Sequence, residues 1–132
     1  MRRVVMSNRV NYWTGSEPRD FEREFANYVG ASYAIALPNG TLALDLALQG
    51  LGNGAGDEVI VTPRSFMASV SCVVTAGATP VFAVVDRDTQ NLSATTIRAV
   101  LSPRTKAIIL VHLAGMLAEL DEIMALADRH GL

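Results

Sequence analysis

The 132-residue chain balances 11 Lys and Arg against 13 Asp and Glu, and half of its residues are apolar. That size suits a single domain with a moderate core, and the composition excludes disorder and the basic footprint of a nucleic-acid binder. No apolar run approaches the ~18 residues of a membrane span, no signal-peptide core follows Met1-Arg2-Arg3, and Cys72 has no second cysteine to pair with, so a cytoplasmic protein without a membrane partner is expected.

Helical and strand patterns alternate along the chain without a low-complexity linker or internal repeat. Residues 19–29 place Phe21, Phe25, Tyr28 and Val29 on one helical face, and Gly30 stops that helix. Tyr33 to Leu37 reads as a short apolar strand. Thr41 to Leu51 reads as a leucine-rich helix, closed by Gly52, Gly54 and Gly56. Glu58 to Thr62 is a strand ended by Pro63, Ser65 to Ala76 a helix ended by Gly77, and Thr79 to Val85 a third strand. Asp86 to Asn91 is a polar turn, after which Ser93 N-caps a helix through Leu101. Thr105 to His112 is a fourth strand, and Leu120 to His130 a helix with Gly131 at its end.

Continuous Val, Ile and Leu runs belong to strands covered on both faces, and helices between them imply right-handed crossovers with parallel pairing. The fold class is α/β, a three-layer, doubly wound, mostly parallel sheet. Ligands bind such sheets at the carboxyl ends of the strands. That rule selects the loops after Leu37, Thr62, Val85 and His112.

In the first loop, Pro38-Asn39-Gly40-Thr41, Gly40 lets a ligand approach the backbone. Thr41 brings a hydroxyl and an amide to a helix N-terminus, where an anion such as phosphate is favoured. The bland alternative is a turn with an ordinary N-cap. In the second loop Phe66 falls in the first turn of its helix and could stack on a flat heteroaromatic ring, the alternative being a core phenylalanine. Together the two loops describe a site for a phosphorylated aromatic cofactor. His112, at the same sheet end, is either a ligand contact or a structural histidine.

Other features carry less. The glycines of Gly50 to Gly56 follow a helix and precede a strand, the reverse of a dinucleotide fingerprint. Asp86 and Asp88 lack the further acidic residues of a calcium loop. The two histidines and one cysteine have no metal-ligand spacing, so no metal is expected. Lys106, the single lysine, lies near the start of its strand, at the opposite sheet end.

The ordered segments Asn11-Tyr12-Trp13-Thr14-Gly15, Asn39-Gly40-Thr41-Leu42-Ala43-Leu44, Gly56-Asp57-Glu58-Val59-Ile60-Val61-Thr62-Pro63, Phe66-Met67-Ala68-Ser69, Gly77-Ala78-Thr79-Pro80-Val81-Phe82 and Val111-His112-Leu113-Ala114-Gly115 resemble the nucleotide-sugar aminotransferases of the DegT/StrS type. These are fold-type-I enzymes that use pyridoxal 5'-phosphate (PLP). The resemblance runs from about residue 11 to the end and departs from the family pattern at Met116-Leu117. It implies that residues 1–132 form the N-terminal part of the large domain, a single incomplete domain. It implies that Gly40 and Thr41 hold the PLP phosphate, that Phe66 stacks on the pyridine ring, and that His112 lies near the cofactor. Trp13, Thr14 and Gly15 would line the sugar-nucleotide entrance.

The implied activity is transfer of an amino group from an amino-acid donor to a keto sugar on a nucleotide, in a homodimer. The family's Schiff-base lysine and the acidic partner of the pyridine nitrogen belong to later strands, so no catalytic residue is assigned here. The 132 residues alone are expected to be inactive, and poorly soluble or partly ordered. The alternatives are a non-catalytic PLP-binding or dimer-docking fragment, and an incompletely read gene product.

Overall fold

A computed structural model describes residues 1–132, which divide into two compact units, Met1–Pro38 and Asn39–Leu132. The first unit holds α1 (Arg2–Met6) and α2 (Glu17–Val29). Pro18 stands in the first turn of α2, where its missing N–H does no harm. Glu17 and Asp20 complement the positive end of the helix. Gly30 closes it with a φ of 71°, a left-handed conformation suited to glycine. The expected aromatic face is present, with the Phe21 and Phe25 rings 5.7 Å apart, and it is exposed.

Residues 33–37 form no strand, contrary to the sequence expectation. A strand exists only through its ladder, and none of the chain's strands pairs with this segment. The Ala36 N–H instead donates to Glu22 Oε1 at 2.8 Å.

The second unit runs α3 (Gly40–Gly50), β1 (Glu58–Val61), α4 (Ala68–Thr75), β2 (Thr79–Phe82), α5 (Ala94–Arg98), β3 (Thr105–Ile109), a 3-10 turn (Leu113–Gly115) and α6 (Leu120–His130). The three strands are parallel in the order β2-β1-β3. β1 is central and buried along its whole length. Its side chains alternate between two cores, as a strand's must. Val59 packs with Leu48, Cys72, Val73, Ala78 and Ala107 on one face. Ile60 packs with Leu92, Ile97, Ile123 and Leu126 on the other. Both faces are therefore covered, as doubly wound packing requires. Burial of each such Val or Ile contributes about 1.5–3 kcal/mol.

The outer strands stop earlier than their apolar runs suggest. β2 ends at Phe82 and not Val85, and β3 at Ile109 and not His112, because each runs out of partner where β1 ends at Val61. α5 is likewise shorter than expected, though Ser93 caps it in a full capping box with Thr96. At the amino edge the ladder shifts between Glu58 and Val59, whose β3 partners are Thr105 and Ala107. Lys106 lies at this irregularity, exposed. The buried Glu58 carboxylate accepts hydrogen bonds from Ser102 Oγ and, at 2.9 Å, from Arg104 Nε. No helix is long and apolar enough to cross a membrane.

Candidate functional site at the carboxyl edge

Parallel strands bring their carboxyl ends to one edge of the sheet. α3 and α4 both end at the opposite, amino edge. There a Cβ on Gly54 would lie 3.8 Å from the Ala76 oxygen, and one on Gly77 3.8 Å from the Ala55 nitrogen. The N-termini of both helices therefore point toward the carboxyl edge.

At α3 the cap is Asn39, not Thr41. Asn39 is extended, and its Oδ1 accepts the Leu42 N–H at 3.0 Å. The Gly40 and Thr41 N–H groups occupy the first two helical positions and have no intrahelical acceptor. A Cβ on Gly40 would meet nothing within 4 Å, so the space beside this backbone is open.

Phe66 does not sit in the first turn of a helix and is not a core residue. Pro63 and the Thr62 Oγ1 acceptor of the Arg64 N–H (3.0 Å) shape a turn that delays α4 until Ala68. Phe66 lies in that loop, 74% exposed. Its carbonyl accepts the Ser69 N–H at 3.0 Å, and Ser65 Oγ and Ser69 Oγ are 2.9 Å apart.

His112 lies beyond the end of β3 and directly before the 3-10 turn. Its Nδ1 accepts the Ala118 N–H at 3.1 Å, so a neutral ring carries its proton on Nε2. The ring is thus held by the backbone on one nitrogen and leaves the other as a donor. The sequence reasoning missed Asn91, which it treated as a turn residue. Asn91 is 2% exposed, and its carboxamide binds the backbone on both sides of Ala114. Its neighbour Asp86 is held below the usual carboxylate range, chiefly by the N–H donors of Thr89 and then Asp88.

Trp13, Thr14 and Gly15 belong to the first unit. Asn11 Oδ1 accepts from the Trp13 N–H (3.1 Å), the Thr14 N–H (2.9 Å) and the Thr14 hydroxyl (3.0 Å). A Cβ on Gly15 would stand 2.8 Å from the Arg9 oxygen, so only glycine fits there. Thr14 and Gly15 line a recess of about 250 Å³ with Arg3, Arg9 and Glu17.

The sequence profile of the DegT/DnrJ/EryC1/StrS aminotransferase family matches residues 1–132, the full chain. The chain belongs to the DegT/DnrJ/EryC1/StrS family. Its similarity to GDP-perosamine synthase of Caulobacter vibrioides is 47% identity, covering 99% of this chain and 36% of that protein. Among solved structures, it is 61% identical to the aminotransferase from Psychrobacter cryohalolentis, with a TM-score of 0.95, covering 99% of this chain and 33% of that one. The sugar aminotransferase Spr1654 of Streptococcus pneumoniae, described as putative and solved in a PLP form, is 33% identical with a TM-score of 0.83. The match covers 88% of this chain and 30% of Spr1654. The DegT/DnrJ/EryC1/StrS segment seen here thus spans about a third of the length of these relatives. The family's aminotransferases are PLP-dependent, and the α/β class and family expected from the sequence both stand.

Proposed function

We propose that these 132 residues form the phosphate- and ring-binding part of the large domain of a PLP-dependent aminotransferase acting on a nucleotide-linked keto sugar. One observation carries the reading. Two unsatisfied N–H groups at the start of α3, beside open space, share the carboxyl edge with an exposed aromatic ring, in a chain that the family profile matches throughout.

The residues present fit PLP in two respects. The helix N-terminus offers donors and a favourable dipole to a phosphate dianion. Phe66 offers a solvent-facing ring for stacking, which apolar burial within the fold would have denied it. Gly40 and Thr41 would hold the phosphate through their N–H groups and the Thr41 hydroxyl. His112 would present Nε2–H toward the ligand. When bound, PLP supplies the electron-withdrawing carbonyl and ring through which an amino group passes from an amino-acid donor to a keto sugar. Trp13, Thr14 and Gly15 would line the sugar-nucleotide entrance, and the whole enzyme would be a cytoplasmic homodimer.

Lys106 stands at the amino edge, away from this site, so the amine that captures PLP covalently comes from outside the segment. The isolated 132-mer would accordingly bind PLP without covalent attachment and show no turnover. The test is PLP titration of the protein that carries this chain, followed by absorbance, with Thr41→Val and Phe66→Ala beside the wild type. Weaker binding in both variants supports the reading. Wild-type affinity in both sinks it. Borohydride treatment of the 132-mer with stoichiometric PLP is expected to trap no adduct beyond the random labelling of the exposed Lys106 and the N-terminal amine, and transamination by that fragment would overturn its proposed inactivity.

A further inference from the structure

Asn91 joins two loops of the carboxyl edge that no ladder connects. Its Oδ1 accepts the Leu113 N–H at 3.0 Å, and its Nδ2 donates to the Met116 carbonyl at 2.9 Å. Between these anchors lies Ala114 with a φ of 53°, followed by Gly115 at 85°. A left-handed alanine persists only where its surroundings over-determine it, and the carboxamide supplies that constraint from both sides. The base of the clamp is equally fixed. The Asn91 carbonyl accepts the Asp86 N–H at 2.8 Å, and Asp86 Oδ1 accepts the Asp88 and Thr89 N–H groups at 3.0 and 2.9 Å. Gln90, adjacent to Asn91, receives a hydrogen bond from Arg64 in the loop that carries Phe66.

We propose that Asn91 is the positioning residue of this site: through the Leu113–Met116 clamp it fixes the loop that holds the His112 ring on the Ala118 N–H and aims Nε2–H outward. Buried amides in apolar surroundings are kept when every donor and acceptor is used, and both ends of this one are used across the Ala114 bend. A side chain that served packing alone would tolerate leucine, which has the same number of side-chain heavy atoms and the same branch point but is bulkier. Asn91→Leu removes both hydrogen bonds of the clamp, and amide exchange on the wild type covers the case in which its extra bulk disturbs the fold.

The ligand arm of the test rests on the PLP reading, whereas the other two arms do not. In the full-length protein carrying this chain, nitrogen-correlated imidazole spectra, with His112→Gln for assignment, are expected to show a single Nε2–H tautomer for neutral His112. Asn91→Leu is expected to mix the tautomers and to weaken binding of pyridoxamine 5'-phosphate about tenfold, the factor one lost hydrogen bond makes. Lowered stability with an unchanged tautomer and unchanged affinity would reduce Asn91 to a structural residue and overturn the proposal. If the variant does not fold, amide exchange on the wild type decides. Strong protection of the Leu113 N–H is required, and fast exchange in the folded protein overturns the clamp. Wild-type protein that binds no pyridoxamine phosphate would sink the cofactor reading, a failure distinct from that of the Asn91 assignment, which is read in the tautomer.

Discussion

Asn39 and Leu42 form the cap that opens α3: the Asn39 Oδ1 accepts the Leu42 N–H at 3.0 Å and leaves the Gly40 and Thr41 N–H groups, the proposed phosphate donors, free of protein acceptors. The cap and the proposed anion site thus use different donors of one helix end. Replacing Asn39 by alanine is expected to destabilise the protein by about 0.5–2 kcal/mol, and by glycine only a few tenths. Denaturant titration measures both. Equal losses for the two variants would show that the side chain is not a working cap.

Phe66 separates binding from stability. At 74% exposure its ring adds little to the core, so Phe66→Ala is expected to change stability by no more than about 0.5 kcal/mol. The same change removes a stacking face worth about 0.5–1.5 kcal/mol to a bound ring. In this one variant, cofactor titration should therefore show weakened binding while thermal melting stays close to wild type. A large loss of melting temperature would mean that Phe66 is packed in the protein and is not a ligand surface.

How far the sequence reaches is clear from these positions. α2, α3 and α6 were legible because their apolar spacing and glycine stops are local signals, and the parallel pairing followed from helices lying between the strands. The ends of β2 and β3 were not legible, since each is set by the length of β1 and not by its own apolar run. For the same reason His112 moved from a strand end into a loop. Residues 33–37 have strand composition, yet pairing is non-local and no strand of the chain supplies it. Asn91 was invisible as a clamp because its partners lie 22 and 25 residues away.

Glu58 makes the amino edge sensitive to acid. The Ser102 hydroxyl and then the Arg104 guanidinium hold its carboxyl below the ordinary value of 4.5. A depressed folded-state pKa means that the unfolded chain takes up the proton first. The carboxylate's contribution is therefore fully present above pH 4.5 and is lost as pH falls through the lower folded value. Glu58→Gln is expected to lower stability at neutral pH and to flatten the acid limb of the stability profile. An unchanged acid limb would show that Ser102 and Arg104 do not favour the charged form.

Exposed apolar side chains govern how the isolated segment behaves in solution. Tyr33 is 88% and Ile35 71% exposed, on backbone that pairs with no strand. Open apolar backbone of strand composition is a template for another copy, and a lysine is the usual guard against it. The 132-mer is expected to associate in a concentration-dependent way, and Ile35→Lys to reduce that association without lowering the melting temperature. Ile35 is exposed, so the substitution removes no buried side chain. Sedimentation velocity over a concentration series measures the effect. A wild-type fragment that stays monomeric throughout would show that residues 33–37 do not mediate association, and that the remaining apolar surface is too dispersed to do so.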